Sequence, residues 1–184
     1  MTPIVRLADP DADAAAVAAI YRPAVEDGLA SFEETAPDAA EMADRIRQAL
    51  EGTPWLVAEL DGSVVGYAYA GPHHARPGYR WSVNVSVYVR EGFTGRGIGR
   101  LLYDELFELL RRQGYVNAYA GITQPNPASV ALHEAMGMRR MAVYERVGWK
   151  HGTWHDVAWY ALRLSEPSEP PAEPIPIGVL LEGA

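Results

Sequence analysis

Apolar and polar positions repeat along this chain with two periods. Between Trp81 and Val89, Val83, Val85, Val87 and Val89 alternate with polar positions, the signature of a strand with one buried face. Between Gly97 and about Gln113, Ile98, Leu101, Leu102, Leu106, Leu109 and Leu110 fall on one stripe, which predicts an amphipathic helix. Ile4–Ala8 is a short apolar strand candidate. Asp9 to about Asp27 is an alanine-rich helix with Asp11 and Asp13 near its start, where acids suit the dipole. Thr35-Ala-Pro-Asp38 opens a second helix that runs to about Leu50. Pro54–Leu60 and Ser63–Ala70 flank Asp61-Gly62, a hairpin signal. Val116–Ile122 predicts a strand. Asn126–Met136 predicts a helix with Asn126 as cap, Pro127 in the first turn and Gly137 past the end. Met141–Val147 and Trp154–Leu164 form a closing strand pair around Gly148–Gly152. The order βα(α)βββαβαββ is that of a mixed α/β domain.

The 184 residues suit one domain, spanning 1–164. The remainder, 165–184, is acidic and holds five of the fourteen prolines. Ser165 to about Pro176 is therefore expected to be extended or disordered, and the whole tail a loose extension. Its apolar end, Ile175 to Leu181, is a segment that could dock. There is no cysteine, which excludes a disulfide framework, a thiolate metal site and a cysteine nucleophile. No apolar run reaches the roughly 18 residues of a membrane span, and Met1–Asp13 lacks the basic and apolar regions of a signal peptide. The expected setting is the cytoplasm.

The formal net charge is −8, which argues against nucleic acid or an anionic membrane as partner. The charge is unevenly spread. Residues 1–61 carry thirteen acids against four arginines, residues 62–164 seven acids against twelve bases, and residues 165–184 four acids and no base. A basic middle segment suits a specific anionic ligand, and the acidic N-terminal helices are expected to face a cationic one.

The basic segment contains Thr94-Gly95-Arg96-Gly97-Ile98-Gly99-Arg100 between a strand and a helix. Glycines there let backbone N–H groups approach a ligand, and the helix start adds a dipole. Phosphate or pyrophosphate is the natural occupant, although a glycine-rich turn is also consistent with a tight turn alone. No Gly-Lys-Ser/Thr follows, so it is not a Walker loop. Its position in mid-chain, after a hairpin, disfavours a dinucleotide fold. Asn126, Ser129 and His133 lie at i, i+3 and i+7 and share a helix face, in contrast to Val130 and Met136, which are expected on the core side. His73-His74 and His151/His155 lack metal-ligand spacing, so no metal is expected.

These two features, in this order, resemble the GCN5-related N-acetyltransferase (GNAT) family. Residues 81–89 (WSVNVSVYV), 120–133 (AGITQPNPASVALH) and 147–156 (VGWKHGTWHD), with Ala30-Ser-Phe-Glu33 and Gly71–Arg76, are similar to the phosphinothricin acetyltransferase subgroup. The resemblance covers roughly 3–163. It implies a GNAT fold: a mixed central sheet whose long strand is splayed or bulged around Val85–Val89, flanked by helices. It implies direct acetyl transfer from acetyl-CoA to the amine of a small amino-acid-like acceptor, of the phosphinothricin or methionine sulfoximine/sulfone type. The cofactor contacts carried over are Val87, Tyr88, Val89, Thr94, Gly95, Arg96, Gly97, Ile98, Gly99, Arg100, Asn126 and Ser129. Phe32, Glu33, His74, Arg76, Tyr79 and Tyr88 match the acceptor pocket. Arg76 is the choice for an acceptor carboxylate, with Arg80 the alternative. The 147–156 segment implies a homodimer.

The chain departs from the subgroup at two points. Asn84 stands where relatives carry a glutamate base, and an amide does not take up a proton near neutral pH. His133 is then expected to handle proton traffic together with Asn84 as a positioning group, with His74 or Glu33 as second candidates. Thr94 replaces the usual Arg or Gln of the cofactor loop. Two other readings remain open: a non-catalytic acyl-CoA sensor that lost its base, and a GNAT enzyme acting on a polyamine or peptide N-terminus.

Overall fold

The computed structural model describes residues 3–183. Seven strands form one sheet in the order β1-β2-β3-β4-β5-β7-β6. They are β1 (Ile4–Leu7), β2 (Trp55–Leu60), β3 (Ser63–Pro72), β4 (Ser82–Val89), β5 (Asn117–Thr123), β6 (Arg139–Lys150) and β7 (Thr153–Arg163). Only β4 and β5 pair in parallel; every other neighbour is antiparallel. Helices α1 (Pro10–Glu26) and α2 (Ala39–Leu50) cover one face, and α3 (Ile98–Gln113) covers the other, with α4 (Pro127–Ala135) and α5 (Ile177–Glu182) on the same side. The element order read from periodicity is the observed one through β7; α5, in the tail, was not expected. The closing hairpin is longer than predicted, because its strands run on through Gly148 to a two-residue turn at His151 and Gly152, both at positive φ.

The alternation along β4 does what it predicts. Val83 and Val85 pack with Leu102, Tyr103 and Leu106 of α3, while Tyr88 lies on the other face against Tyr67 and Tyr21. Caps fix the helix starts. Asp9 accepts from the N–H groups of Asp11 and Ala12, and Asp38 from that of Glu41, satisfying donors that a helix start leaves open.

The C-terminal segment is docked, in contrast to the loose extension expected. Ile177 is 1% exposed. Gln113 Nε2 donates to the carbonyls of Ile175 and Gly52, both at 2.7 Å. Trp81 Nε1 donates to Ala172 O at 2.7 Å, and Arg80 pairs with Glu173 at 2.6 Å. Proline supplies no ladder donors, but the carbonyls and apolar side chains between the prolines are sufficient to hold the strap.

Asp13 is the buried charge of α1, 3% exposed. Arg6 grips it through two N–H groups at 2.6 and 2.9 Å, and Asp9 N–H adds a third bond. Desolvation pushes the carboxyl up, but the bonds from Arg6 and Asp9 outweigh it and hold the carboxyl below its ordinary 3.8. Its contribution to stability is therefore complete above 3.8 and is lost as pH falls through the folded value. Asp13→Ala should cost about 2 kcal/mol at pH 7, less than a fully buried pair because Arg6 stays partly in water. Urea melts should show the difference from wild type shrinking below pH 4. A constant difference across pH 3–7 would contradict this account.

Candidate active site

β4 and β5 pair only at Ser82–Asn117, Val83–Ala118 and Asn84–Tyr119. Beyond Asn84 they part, although β4 keeps an unshifted register with β3 through to Val89. The opening is thus a splay between strands and not a bulge in β4. Arg90 N–H donates to Val65 in β3. Backbone polarity alternates along a strand, so Val87 and Val89 turn their N–H and C=O groups into the gap, beyond the last paired residues. The Tyr88 backbone points the other way, toward β3, and its ring lines the gap instead. A cavity of about 60 Å³ lies in this gap, bordered by Ser86, Val87, Tyr88, Tyr103, Gly121 and His133 among others.

The glycine-rich loop and α3 form one mouth of the gap. Gly95 and Gly97 have φ of +73° and +80°, where a side chain would be strained. Gly97 is the N-cap and gives no side-chain bond. Leu101 is the first to donate to Gly97 O, so the N–H groups of Ile98, Gly99 and Arg100 face outward without a helical acceptor. Thr94, Arg96 and Arg100 are exposed around them. Arg96 lies over the Phe93 ring at 5.0 Å, and Arg100 meets Asp104 only at 3.8 Å. The N-terminus of α4 is nearby on the cavity wall, with Asn126 Oδ1 accepting from Ser129 N–H at 3.1 Å. This surface of free N–H groups and arginines fits a pyrophosphate.

His133 is placed differently from expectation. It is the buried residue of α4, whereas Val130 and Met136 are only partly buried. Its Nδ1 lies 2.7 Å from Ser129 O, so it donates there. Its Nε2 accepts from the Tyr103 hydroxyl at 3.0 Å. Neither nitrogen is left for an incoming amine. Glu33 is also committed. Arg45 donates to both its oxygens at 2.8 and 2.9 Å and Tyr21 donates at 2.9 Å. The Arg45 bonds, with help from Tyr21, hold its carboxyl below the ordinary range against desolvation, which makes it a poor base.

The acceptor candidates divide into two groups. His74 and Arg76 line a cavity of about 830 Å³ that also includes Tyr21, Arg45, Tyr69 and Arg80. Tyr79 stands beside His74 at 4.9 Å between ring centres. Phe32 lies apart, on the backbone of Gly148, where a Cβ would overlap its ring. Lys150 Nζ fastens the same hairpin to the carbonyl of Ser31 at 2.6 Å. Tyr88 therefore borders the gap, His74 and Arg76 line the open pocket with Tyr79 beside His74, and Phe32 sits against the β6–β7 hairpin. The residue that sequence reasoning passed over is His73, whose Nδ1 lies 2.8 Å from Asn84 Oδ1. No sequence signal marks it, because its diagonal approach to Asn84 depends on the β3–β4 register, in which Gly71 is the partner of Asn84.

A split sheet with an anion-binding helix start at its mouth and an aromatic, basic pocket beside it defines a group-transfer enzyme that draws on a phosphorylated donor. Residues 18–138 match the Acetyltransferase (GNAT) family. The chain is 38% identical to the phosphinothricin N-acetyltransferase of Streptomyces viridochromogenes over 89% of its length and 90% of the relative's. It is 37% identical to the L-methionine sulfoximine/L-methionine sulfone acetyltransferase of Salmonella typhimurium, covering 91% and 98%. A phosphinothricin acetyltransferase structure from Sinorhizobium meliloti, in complex with AcCoA, superposes with a TM-score of 0.87 at 37% identity, covering 95% and 94%. This chain belongs to the acetyltransferase (GNAT) family and is an N-acetyltransferase.

Burial pushes the His133 imidazole below its ordinary 6.5 more than the Ser129 carbonyl raises it. The ring is then neutral at pH 7, and its contribution to stability declines as pH falls below 6.5 toward the folded value. NMR titration should place its midpoint below 6.5, with the Nδ1–H tautomer. A midpoint above 6.5 would contradict the buried arrangement.

Proposed function

We propose that this enzyme moves the acetyl group of acetyl-CoA to the α-amine of a small amino-acid-like acceptor of the phosphinothricin or methionine sulfoximine/sulfone type. The carrying observation is the β4–β5 gap, which joins the anion-binding loop to the acceptor side of the sheet. Residues 94–100 hold the pyrophosphate through backbone N–H groups, with Arg96 and Arg100 adding charge and Asn126 and Ser129 lining the second helix start. Acetyl-CoA supplies an acetyl group on a thiol that leaves readily. The Val87 and Val89 N–H groups, aimed into the gap, are placed to steady the carbonyl oxygen as it gains charge. His133 is a positioning residue that holds the Tyr103 hydroxyl at the cavity wall.

Arg76 makes no ion pair among the described residues, so its fork is available for the acceptor carboxylate. This favours an amino acid over a polyamine. Arg80, the alternative, is already paired with Glu173 at 2.6 Å. His74, Tyr79 and Tyr88, with Phe32 and the Glu33–Arg45 pair, frame the acceptor. The enzyme works in the cytoplasm, where acetyl-CoA is supplied. A thiol-release assay over an amino-acid panel tests the reading. Arg76→Ala should raise the KM for the best amino acid about tenfold or more, from a charged bond of about 1.5–3 kcal/mol, and leave the KM for acetyl-CoA in place. Binding of acetyl-CoA without turnover of any amine would instead favour a sensor.

We also propose a homodimer through the β6–β7 hairpin. Met141, Tyr144, Val147, Trp149 and Trp154 are 47–64% exposed along it, an apolar face larger than isolated surface residues make. Analytical ultracentrifugation should give a dimer for wild type and a monomer for Trp149→Glu. A wild-type monomer at micromolar concentration would reject it.

A further inference from the structure

We propose that His73 is the base that deprotonates the acceptor amine, held for that task by Asn84. The proposal rests on the reading of the chain as an amine acetyltransferase. Asn84 is the last residue of β4 to pair with β5, opposite Tyr119. It marks the apex of the gap, on the sheet face that carries Tyr69 and Tyr88. Its partner across β3 is Gly71, which has no side chain. The ring of His73, two residues further on, folds diagonally back over Asn84 in the space this leaves. Asn84 Oδ1 only accepts, so His73 Nδ1 carries the proton in their 2.8 Å bond. The Nε2 lone pair is then free, and it has no hydrogen-bond partner among the described residues.

The ring is fixed on its other sides. Tyr119 of β5 lies 4.4 Å from it, and Tyr79 of the following turn and Trp159 of β7 each lie 6.3 Å away. The titratable groups facing it are thus two tyrosines, and no carboxylate or guanidinium bonds to it. An asparagine that replaces a glutamate would leave the reaction without a base. Here the amide orients an imidazole at the same apex. His133 and Tyr103 stand on the α3 side of the sheet, away from the amine. In the step proposed, one ammonium proton passes to His73 Nε2 and the freed lone pair attacks the acetyl carbonyl carbon. The C–N bond forms as the C–S bond breaks, and the sulfur leaves with its electron pair. The second proton lost by the nitrogen balances the one the thiolate gains, and His73 returns its own to water.

The test begins with wild-type turnover on the amino-acid panel. A wild type that acetylates no amine overturns the transferase reading and this proposal with it. Given turnover, His73→Ala and the shape-conserving His73→Gln should each lower kcat about a hundredfold. The dissociation constant for acetyl-CoA and the circular dichroism should stay unchanged. Adding Asn84→Glu to His73→Ala should restore at least a tenth of wild-type kcat, because a carboxylate at the apex replaces the imidazole. Nitrogen-15 spectra of wild type should show His73 as the Nδ1–H tautomer. Folded His73 variants with wild-type kcat, or an Nε2–H tautomer, would overturn the assignment of His73 alone.

Discussion

The parting of β4 from β5 after three residue pairs is the constraint on which the rest of the molecule depends. Unpaired strand edges inside a sheet are costly, since each buried N–H or C=O without a partner forfeits a hydrogen bond. A fold retains such edges only where something else satisfies them. Here the open groups of Val87 and Val89 line the gap, and an extended ligand can pair with them as a missing strand would. The register of β4 with β3 is unbroken along the whole opening, so one side of the channel is rigid. The other side, β5, is held by seven residue pairs to β7.

The sheet is kept from closing by elements at its borders. α3 packs along the back of β4 through Leu102, Tyr103 and Leu106, so its uncapped start is delivered to the mouth of the gap. The Tyr103–His133 bond ties α3 to α4 across the opening. The β6–β7 hairpin reaches back to the loop after α1, where Phe32 seats on Gly148 and Lys150 binds Ser31. The C-terminal strap secures the opposite border through Gln113, Trp81 and Arg80. Each contact joins parts distant in sequence, which is why none is visible as a local pattern.

That difference explains what the sequence disclosed. Periodicity set the order and type of the principal elements, because α3 and β4 each bury one face against the shared core. The glycine loop was legible because positive φ at Gly95 and Gly97 requires that residue. The helix bearing His133 was legible, but its inward face was not. Burial of a histidine depends on Ser129 O and Tyr103 arriving from two directions, and polar spacing alone read as a surface stripe. The tail misled for a related reason. Proline content reports the absence of ladder donors but not the acceptors that Gln113 and Trp81 use. His73 was hidden by its adjacency to His74, since its role arises from a diagonal across two strands.

The charges complete the same logic. Residues 1–61 look like an anionic surface awaiting a cation, yet most of these acids are engaged nearby. Asp13 and Glu59 hold Arg6, Glu26 holds Arg22, Glu33 and Glu41 hold Arg45, and Asp11 and Asp44 hold Arg47. Glu173 of the tail occupies Arg80. Neutralisation is therefore local, and of the arginines at the two ligand sites it leaves Arg96 and Arg76 without an ion pair among the described residues. Arg96 stands just before the start of α3 and Arg76 lines the pocket with His74 and Tyr69. An enzyme joining an anionic donor to a carboxylate-bearing amine needs one cation at each end of the gap. Arg45 and Arg80, which line the same pocket as Arg76, are already paired with Glu33 and Glu173, so Arg76 is the guanidinium of that pocket left for a carboxylate.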